Sequence, residues 1–230
     1  IASGLMIRTF QAMQRVEPGF QKPEEVLTLR VSIPETLVKD PEQTARMHFE
    51  IASRIEQVPG VTSVGLSSSI TMDGYDSNDP IFVEDFPIPE GRIPTMRRYK
   101  WIGEGYFETM GNPIIAGRPI EWRDLEQRTD AVMVSENFAR EYWKDPQKAV
   151  GRRIRPSSAA PWRTIVGAVA DERYDGVSRP APAVIYWPML VDKLWTQDVL
   201  IYRTMGYAIR NQRQKSPTLL KEIQQAVWSV

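Results

Sequence analysis

The run AVMVSENFAREYWKDPQKAVGRRIR, a short polar gap and then WRTIVGAVAD fill residues 131–171 and restrict the fold more than any other stretch. Residues 131–134 are apolar and too few for a helix, which predicts a buried strand. Ser135 sits where a helix N-cap belongs, and Glu136 puts negative charge in the first turn, where the helix dipole favours it. Phe138, Ala139 and Tyr142 recur at helical spacing beside Trp143. Asp145-Pro146 is read as the stop, because proline disfavours the α conformation in the residue before it. Gly151 opens a basic strand over 152–155, and 164–169 is a further apolar strand. The unit carries no catalytic signature.

Its surroundings interleave the same two kinds of element. Residues 26–33 alternate apolar and polar, a half-buried strand. Asp40-Pro41 is an N-cap followed by a first-position proline, and Met47, Ile51, Ile55 and Val58 form the apolar stripe of the helix that follows. Residues 61–70 read as a strand, so 26–70 is one β-α-β unit. Short strands are expected at 81–83, 97–102, 114–118 and 183–187, and a single helical turn lies between Gly105 and Gly111. The last strand is expected over 198–204. A final helix is expected after Ser216-Pro217, with Leu219, Leu220, Ile223, Val227 and Trp228 on its apolar face. This order predicts an α+β fold in two subdomains. A split β-α-β subdomain is built from both chain ends, and an α+β subdomain is inserted into it.

Composition excludes several kinds of chemistry. The 230 residues contain no cysteine and one histidine, and Lys+Arg and Asp+Glu both number 29. Disulfides, zinc–thiolate sites and cysteine nucleophiles are therefore excluded, and a cysteine-free chain suits an oxidising compartment. Zero net charge argues against a nucleic-acid partner. No run of about 18 apolar residues spans a membrane. The chain opens on Ile1 rather than methionine and stops at Val230 without a closing strand, which points to a piece of a longer protein. The apolar opening reads as an amphipathic helix over 1–16 or as the trimmed end of a transmembrane helix.

Four constellations invite a functional reading, each with a plainer one beside it. Asp73, Asp76, Asn78 and Asp79 resemble calcium ligands, but their spacing breaks the D-x-[DN]-x-[DN]-G pattern and no downstream glutamate completes it, so a solvated turn is preferred and no metal is expected. Ser67, Ser68 and Ser69 follow Gly65 but fail the G-x-S-x-G elbow, and His48 is read as a packing or surface residue. Asp171, Glu172 and Asp175 could act as paired carboxylates, though loop carboxylates are usually solvated. Arg152, Arg153 and Arg155 with Trp162 and Arg163 form a basic patch that is read as outward-facing strand residues. Seven tryptophans form a high count for this length, and exposed aromatics mark interfaces. Tyr142, Trp143, Trp162 and Trp195 are the partner-binding candidates. Tyr142 and Trp143 are expected to pack on the sheet rather than line a pocket.

The order of motifs resembles the extracytoplasmic (periplasmic core) domain of a MacB/FtsX-type ABC transporter permease. The residues that carry this are Leu5-Met6-Ile7-Arg8-Thr9-Phe10, Pro18-Gly19-Phe20, Val26-Leu27, Pro59-Gly60-Val61 and, most specifically, Gly105-Tyr106-Phe107-Glu108-Thr109-Met110-Gly111 with Ala116-Gly117-Arg118. Val134-Ser135-Glu136-Asn137-Phe138-Ala139, Tyr142-Trp143, Gly151-Arg152-Arg153-Ile154, Ile165-Val166-Gly167-Ala168-Val169-Ala170-Asp171 and Ala183-Val184-Ile185-Tyr186-Trp187-Pro188 complete it, with residues 199–204. The Tyr-Trp pair is most similar to the orphan permeases with duplicated permease units. The resemblance implies a stalk over 1–20, a porter-like subdomain from 21–85 and 190–230, and a sabre-like insertion over 86–189. It implies a membrane protein whose segment here is extracytoplasmic, with no active site and no cofactor. Its partners would be its own transmembrane helices, an ABC ATPase subunit or domain, and a periplasmic adaptor or cargo, with a dimer in the full-length protein. No G-x-x-x-x-G-K-[ST] loop occurs, in keeping with ATP hydrolysis elsewhere. A stand-alone secreted binding module is the alternative from another class, and a hydrolase built on the 171–175 carboxylates is a third.

Overall fold

The computed structural model describes residues 19–74, 77–195, 198–213 and 216–230. The helix expected over 1–16 lies outside these residues, as do the stalk apart from Gly19 and Phe20, and Asp76.

Strand β1 (Val26–Ser32) is followed by helix α1 (Pro41–Glu56), which starts as its sequence dictates: Asp40 accepts a hydrogen bond from the Gln43 amide and Pro41 opens the first turn. Strands β2 (Val61–Ser67), β3 (Asn78–Val83) and β4 (Thr95–Ile102) come next. Helix α2 (Tyr106–Met110) is bounded by Gly105 and Gly111, whose φ angles of 76° and 77° suit glycine. Then come β5 (Ile114–Gly117) and α3 (Trp122–Glu126), a helix the periodicity does not announce.

The 131–171 unit forms β6 (Ala131–Ser135), α4 (Glu136–Trp143), α5 (Pro146–Ala149), β7 (Arg153–Arg155) and β8 (Arg163–Val169). Ser135 caps α4 as expected. Lys144, at φ 66°, ends that helix, and Asp145-Pro146 starts a new one, with Asp145 accepting from the Gln147 amide. The Asp-Pro pair therefore acts as an N-cap and first-position proline as well as a stop.

Strands β9 (Val184–Pro188), β10 (Leu190–Asp192), β11 (Val199–Ile201) and β12 (Thr204–Asn211) lead to helix α6 (Leu219–Trp228). The principal late strand is β12, not the 198–204 segment. Thr218, not Ser216, precedes α6, and the Ser216 hydroxyl instead meets Arg213 and Thr218. Of the expected apolar face, Leu219 and Ile223 are buried, whereas Leu220 and Trp228 are 65% and 75% exposed.

Strand pairing organises these pieces into two connected bodies. β12 lies between β1 and β2, antiparallel to both, so β1 and β2 run parallel with a strand inserted between them. Six strands, β4–β3–β7–β8–β6–β9, close into a ring because β9 pairs back on β4. The ring takes β3 from 78–83, within the segment that the sequence reading gives to the end-built subdomain. Closure leaves none of the six without a neighbour on either side, which removes exposed edges. β2 meets the ring at one register position, Ser67 opposite Ile102.

Alternation then splits the core in two. Tyr99 and Trp101 of β4, Val132 and Val134 of β6, and Ile185 and Trp187 of β9 fill the ring interior. Ile102, Met133, Val184 and Tyr186, from the opposite faces of the same strands, join the core made by α1, β2, β12 and α6. Among the described residues no helix is long and apolar enough to cross a membrane.

Candidate functional site

The period-two alternation that sends Tyr99 and Trp101 into the ring sends Lys100 out of it, toward the junction between the two cores. There Lys100 is fully buried. Its Nζ lies 3.3 Å from Oε2 of Glu172 and 2.5 Å from the Tyr106 hydroxyl. The other carboxylate oxygen, Oε1, accepts from Tyr186 at 3.1 Å. Thr71, just past β2, donates to Glu172, and Ser69 meets the Tyr174 hydroxyl. Seven polar side chains from both bodies thus satisfy one another away from water.

Close backbone contact makes this meeting feasible. A Cβ on Gly65 of β2 would lie 2.5 Å from the Tyr106 Cα, so only glycine lets α2 approach β2 closely enough. Burial drives the Lys100 ammonium below the usual lysine range, and the Glu172 carboxylate opposes that shift. Burial and the nearby Glu172 charge push the Tyr106 and Tyr186 hydroxyls well above theirs. Both tyrosines therefore keep their hydroxyl hydrogens at neutral pH and remain hydrogen-bond donors.

The other sequence candidates are dispersed. Asp171, Glu172 and Asp175 do not converge: Asp171 accepts from the Asn137 amide in the first turn of α4, Glu172 faces Lys100, and Asp175 pairs with Arg98 at 2.9 Å. Burial, assisted by Glu136 and Glu172, raises Asp171 to about 6. His48 is buried, with Nδ1 2.8 Å from the Tyr207 hydroxyl and Nε2 3.2 Å from the Arg203 carbonyl, and burial lowers it to about 4. Ser67 bonds to the Ser69 carbonyl, Ser68 accepts from the Trp101 amide and Ser69 is held by Tyr174, so no histidine activates these hydroxyls. Asp73 accepts from Arg30 and from the Ile70 amide, while Asn78 and Asp79 lie in β3. Among the described residues no three acidic or histidine side chains gather as metal ligands.

The aromatic candidates divide between two places. Tyr142 and Trp143, at the end of α4, meet the exposed Phe86 ring at centroid distances of 5.3 and 6.0 Å. The Trp143 indole donates to Asp85 at 2.8 Å. Tyr142 packs against the ring core as expected, touching Phe138 of its own helix as well, but it also lines a cavity of about 370 Å³ with Phe86, Ile88 and Ile93, against the expectation that it would line none. Trp162 lines a neighbouring cavity of about 270 Å³ with Phe82, Phe86 and Arg155. Trp195 is elsewhere, edge-on to Trp101 at 5.8 Å within the ring core. Sequence reading missed Phe86, Ile93 and the Lys100 joint. A lysine between Tyr99 and Trp101 on a strand was the available signal, since its alternate neighbours Arg98 and Ile102 also turn inward.

No protein-family model and no curated protein matches the chain by sequence. The fold is that of the periplasmic region of MacB from Actinobacillus actinomycetemcomitans, which is 14% identical and superposes over 95% of this chain and 89% of that one with a TM-score of 0.55. A domain of a Porphyromonas gingivalis protein described as a permease matches 77% of this chain and 68% of its own at 20% identity and a TM-score of 0.49. The extracellular domain of the noncanonic ABC-type transporter YknZ from Gram-positive bacteria matches 86% and 88% at 13% identity and a TM-score of 0.46.

Proposed function

We propose that this chain is the extracytoplasmic domain of an ABC-type permease, acting without catalysis by passing a conformational change from the membrane to a partner or cargo outside it. The observation that carries the reading is the fold shared with the MacB periplasmic region over nearly the whole chain. In this reading residues 1–20 are the stalk, the body built on β1, β2 and β12 is porter-like, and the strand ring is the sabre-like insertion, beginning at β3. Its partners are its own transmembrane helices, an ABC ATPase and a periplasmic adaptor or cargo, and the full-length protein is a dimer. The site fits such a role. Its buried polar groups are paired, and the Lys100–Glu172 network joins the two bodies where relative movement would be transmitted. Tyr142, Trp143 and Trp162 are the partner-facing residues in this reading, while Trp195 contributes to the core.

Topology and coupling are testable together, because the chain has no cysteine of its own. A Glu90→Cys variant of the full-length protein, at an exposed position, should react with a membrane-impermeant maleimide in cells whose inner membrane is intact. Its rate of labelling should change when the associated ATPase is trapped with a non-hydrolysable nucleotide. Labelling only after the inner membrane is lysed, or recovery of the protein from the soluble fraction, would overturn the proposal.

A further inference from the structure

Arg155 is the one member of the β7 basic patch whose guanidinium turns onto aromatic rings. Its Cζ lies 4.2 Å from the Trp162 ring centroid and 5.9 Å from that of Phe82. Its Nε is buried without a hydrogen-bond acceptor. The neighbouring Arg152 and Arg153 are paired with Asp85 and Glu84, whereas no described carboxylate pairs with Arg155. A guanidinium held over an indole with its Nε short of an acceptor is preorganised for a carboxylate, since the cation–π contact restrains the fork and partial desolvation strengthens the pairing.

The surface around it is largely apolar, with Glu84 and Arg92 also in the lining. The cavity of about 270 Å³ that holds Arg155 and Trp162 shares Val83, Phe86, Pro87 and Ile88 with the cavity of about 370 Å³ that Tyr142 lines. Ile93, in the lining of the larger cavity, is 86% exposed, and Phe86, which lines both, is 43% exposed. Large apolar side chains grouped this way around a pair of cavities mark a binding surface rather than scattered exposure. The strand ring is closed here, and Pro87 and Pro89 have no amide hydrogens, so recognition rests on side chains rather than on strand addition.

We propose that this rim binds an acidic, apolar segment of a partner protein, placing a carboxylate on Arg155 and an apolar side chain in each of the two cavities that Phe86 lines. The unpaired arginine supplies the charge complementarity, and the paired cavities call for two anchors rather than one. The proposal deepens the partner-docking role above and rests on that reading for its place in the cell, but its chemistry is testable apart from it.

The test pans a random dodecapeptide display library against the 230-residue chain and against its Arg155→Glu and Ile93→Ser variants, with thermal melts confirming that each variant is folded. Peptides selected on the native chain should carry an aspartate or glutamate next to large apolar residues. Synthetic copies should bind Arg155→Glu at least about tenfold more weakly, as truncation of a desolvated charge pair does. A Lys-for-Glu copy should regain affinity for that variant. Selected peptides without acidic enrichment, or equal binding to Arg155→Glu, would overturn the proposal. So would saturable binding of laurate with no peptide binding, or sedimentation showing that a second copy of the chain covers the rim. Peptide binding that succeeds while the maleimide experiment fails would leave the groove standing and remove only the permease reading. The reverse result would remove the groove alone.

Discussion

Lys100 and Glu172 face each other at 3.3 Å with both side chains fully buried, one from a ring strand and the other from the segment after β8. An isolated charge so placed would be far too costly to keep, and this pair survives because Tyr106, Tyr186 and Thr71 complete its hydrogen bonding. The joint holds two separate hydrophobic cores in one relative position. Its strength does not come from the ion pair alone, since replacing such a pair with apolar residues of similar volume is often neutral.

That asymmetry makes a sharp expectation. Glu172→Gln and Lys100→Met should each lower unfolding stability by roughly 3–5 kcal/mol, because each strands the other partner. The double variant should recover most of the loss, which a double-mutant cycle in urea would measure. Losses under 1 kcal/mol for both single variants would show that water reaches the pair.

Gly65 sets the distance on which the joint depends. Gly65→Ala should destabilise by about 2 kcal/mol or more and shift α2 away from β2, because its new methyl group would collide with the Tyr106 backbone. Urea denaturation gives the loss, and hydrogen exchange should show weaker protection at α2. An alanine variant as stable as the native chain would mean that α2 yields freely.

Asp171 should make the protein less stable as the pH rises through its titration. Its folded value of about 6 exceeds the ordinary 3.8, so the folded state holds the proton more tightly. That contribution is present below pH 4 and is lost between about 4 and 6. Asp171→Asn keeps an acceptor for the Asn137 amide and removes the charge. It should therefore match or exceed native stability at pH 7 and lose this part of the pH dependence in melts taken across the window.

His48 acts in the opposite sense. Its folded value of about 4 is below the ordinary 6.5, so its contribution is present above pH 6.5 and is lost as the pH falls toward 4. The loss should reach about 3 kcal/mol at the acid end. The chain has one histidine, so its imidazole resonances are unambiguous. They should stay at neutral-imidazole shifts down to about pH 5. A midpoint near 6.5 would mean that the ring is solvated.

Local signals read well wherever a few residues decide the outcome. Asp40 and Ser135 cap helices as read because each side chain reaches the amide three residues ahead. The alternation in 26–33 gives β1 for the same reason. β12 was not legible. Gly206 and Arg210 interrupt its apolar run, and the neighbours that bury Tyr207 and Ile209 are β1 and β2, more than a hundred residues earlier. The expected apolar face of α6 held at Leu219, Ile223 and Val227 but not at Leu220 and Trp228, because periodicity alone does not say how wide a stripe the core will cover. Of the site, Glu172 stood out only as one carboxylate among three, and Lys100 did not stand out. What distinguishes them is their meeting, which no spacing encodes.

By itself the sequence determined the caps at Asp40 and Ser135, most of the strands, the α+β class and the absence of thiol chemistry. Tertiary structure alone decided that β9 returns to β4 and closes a ring, that β12 enters between β1 and β2, and that Arg155 comes to lie on Trp162. The division follows from range. Capping and periodicity act within a turn or two of backbone, whereas strand order and buried charge pairing are set by packing among segments whose separation in sequence carries no local signal.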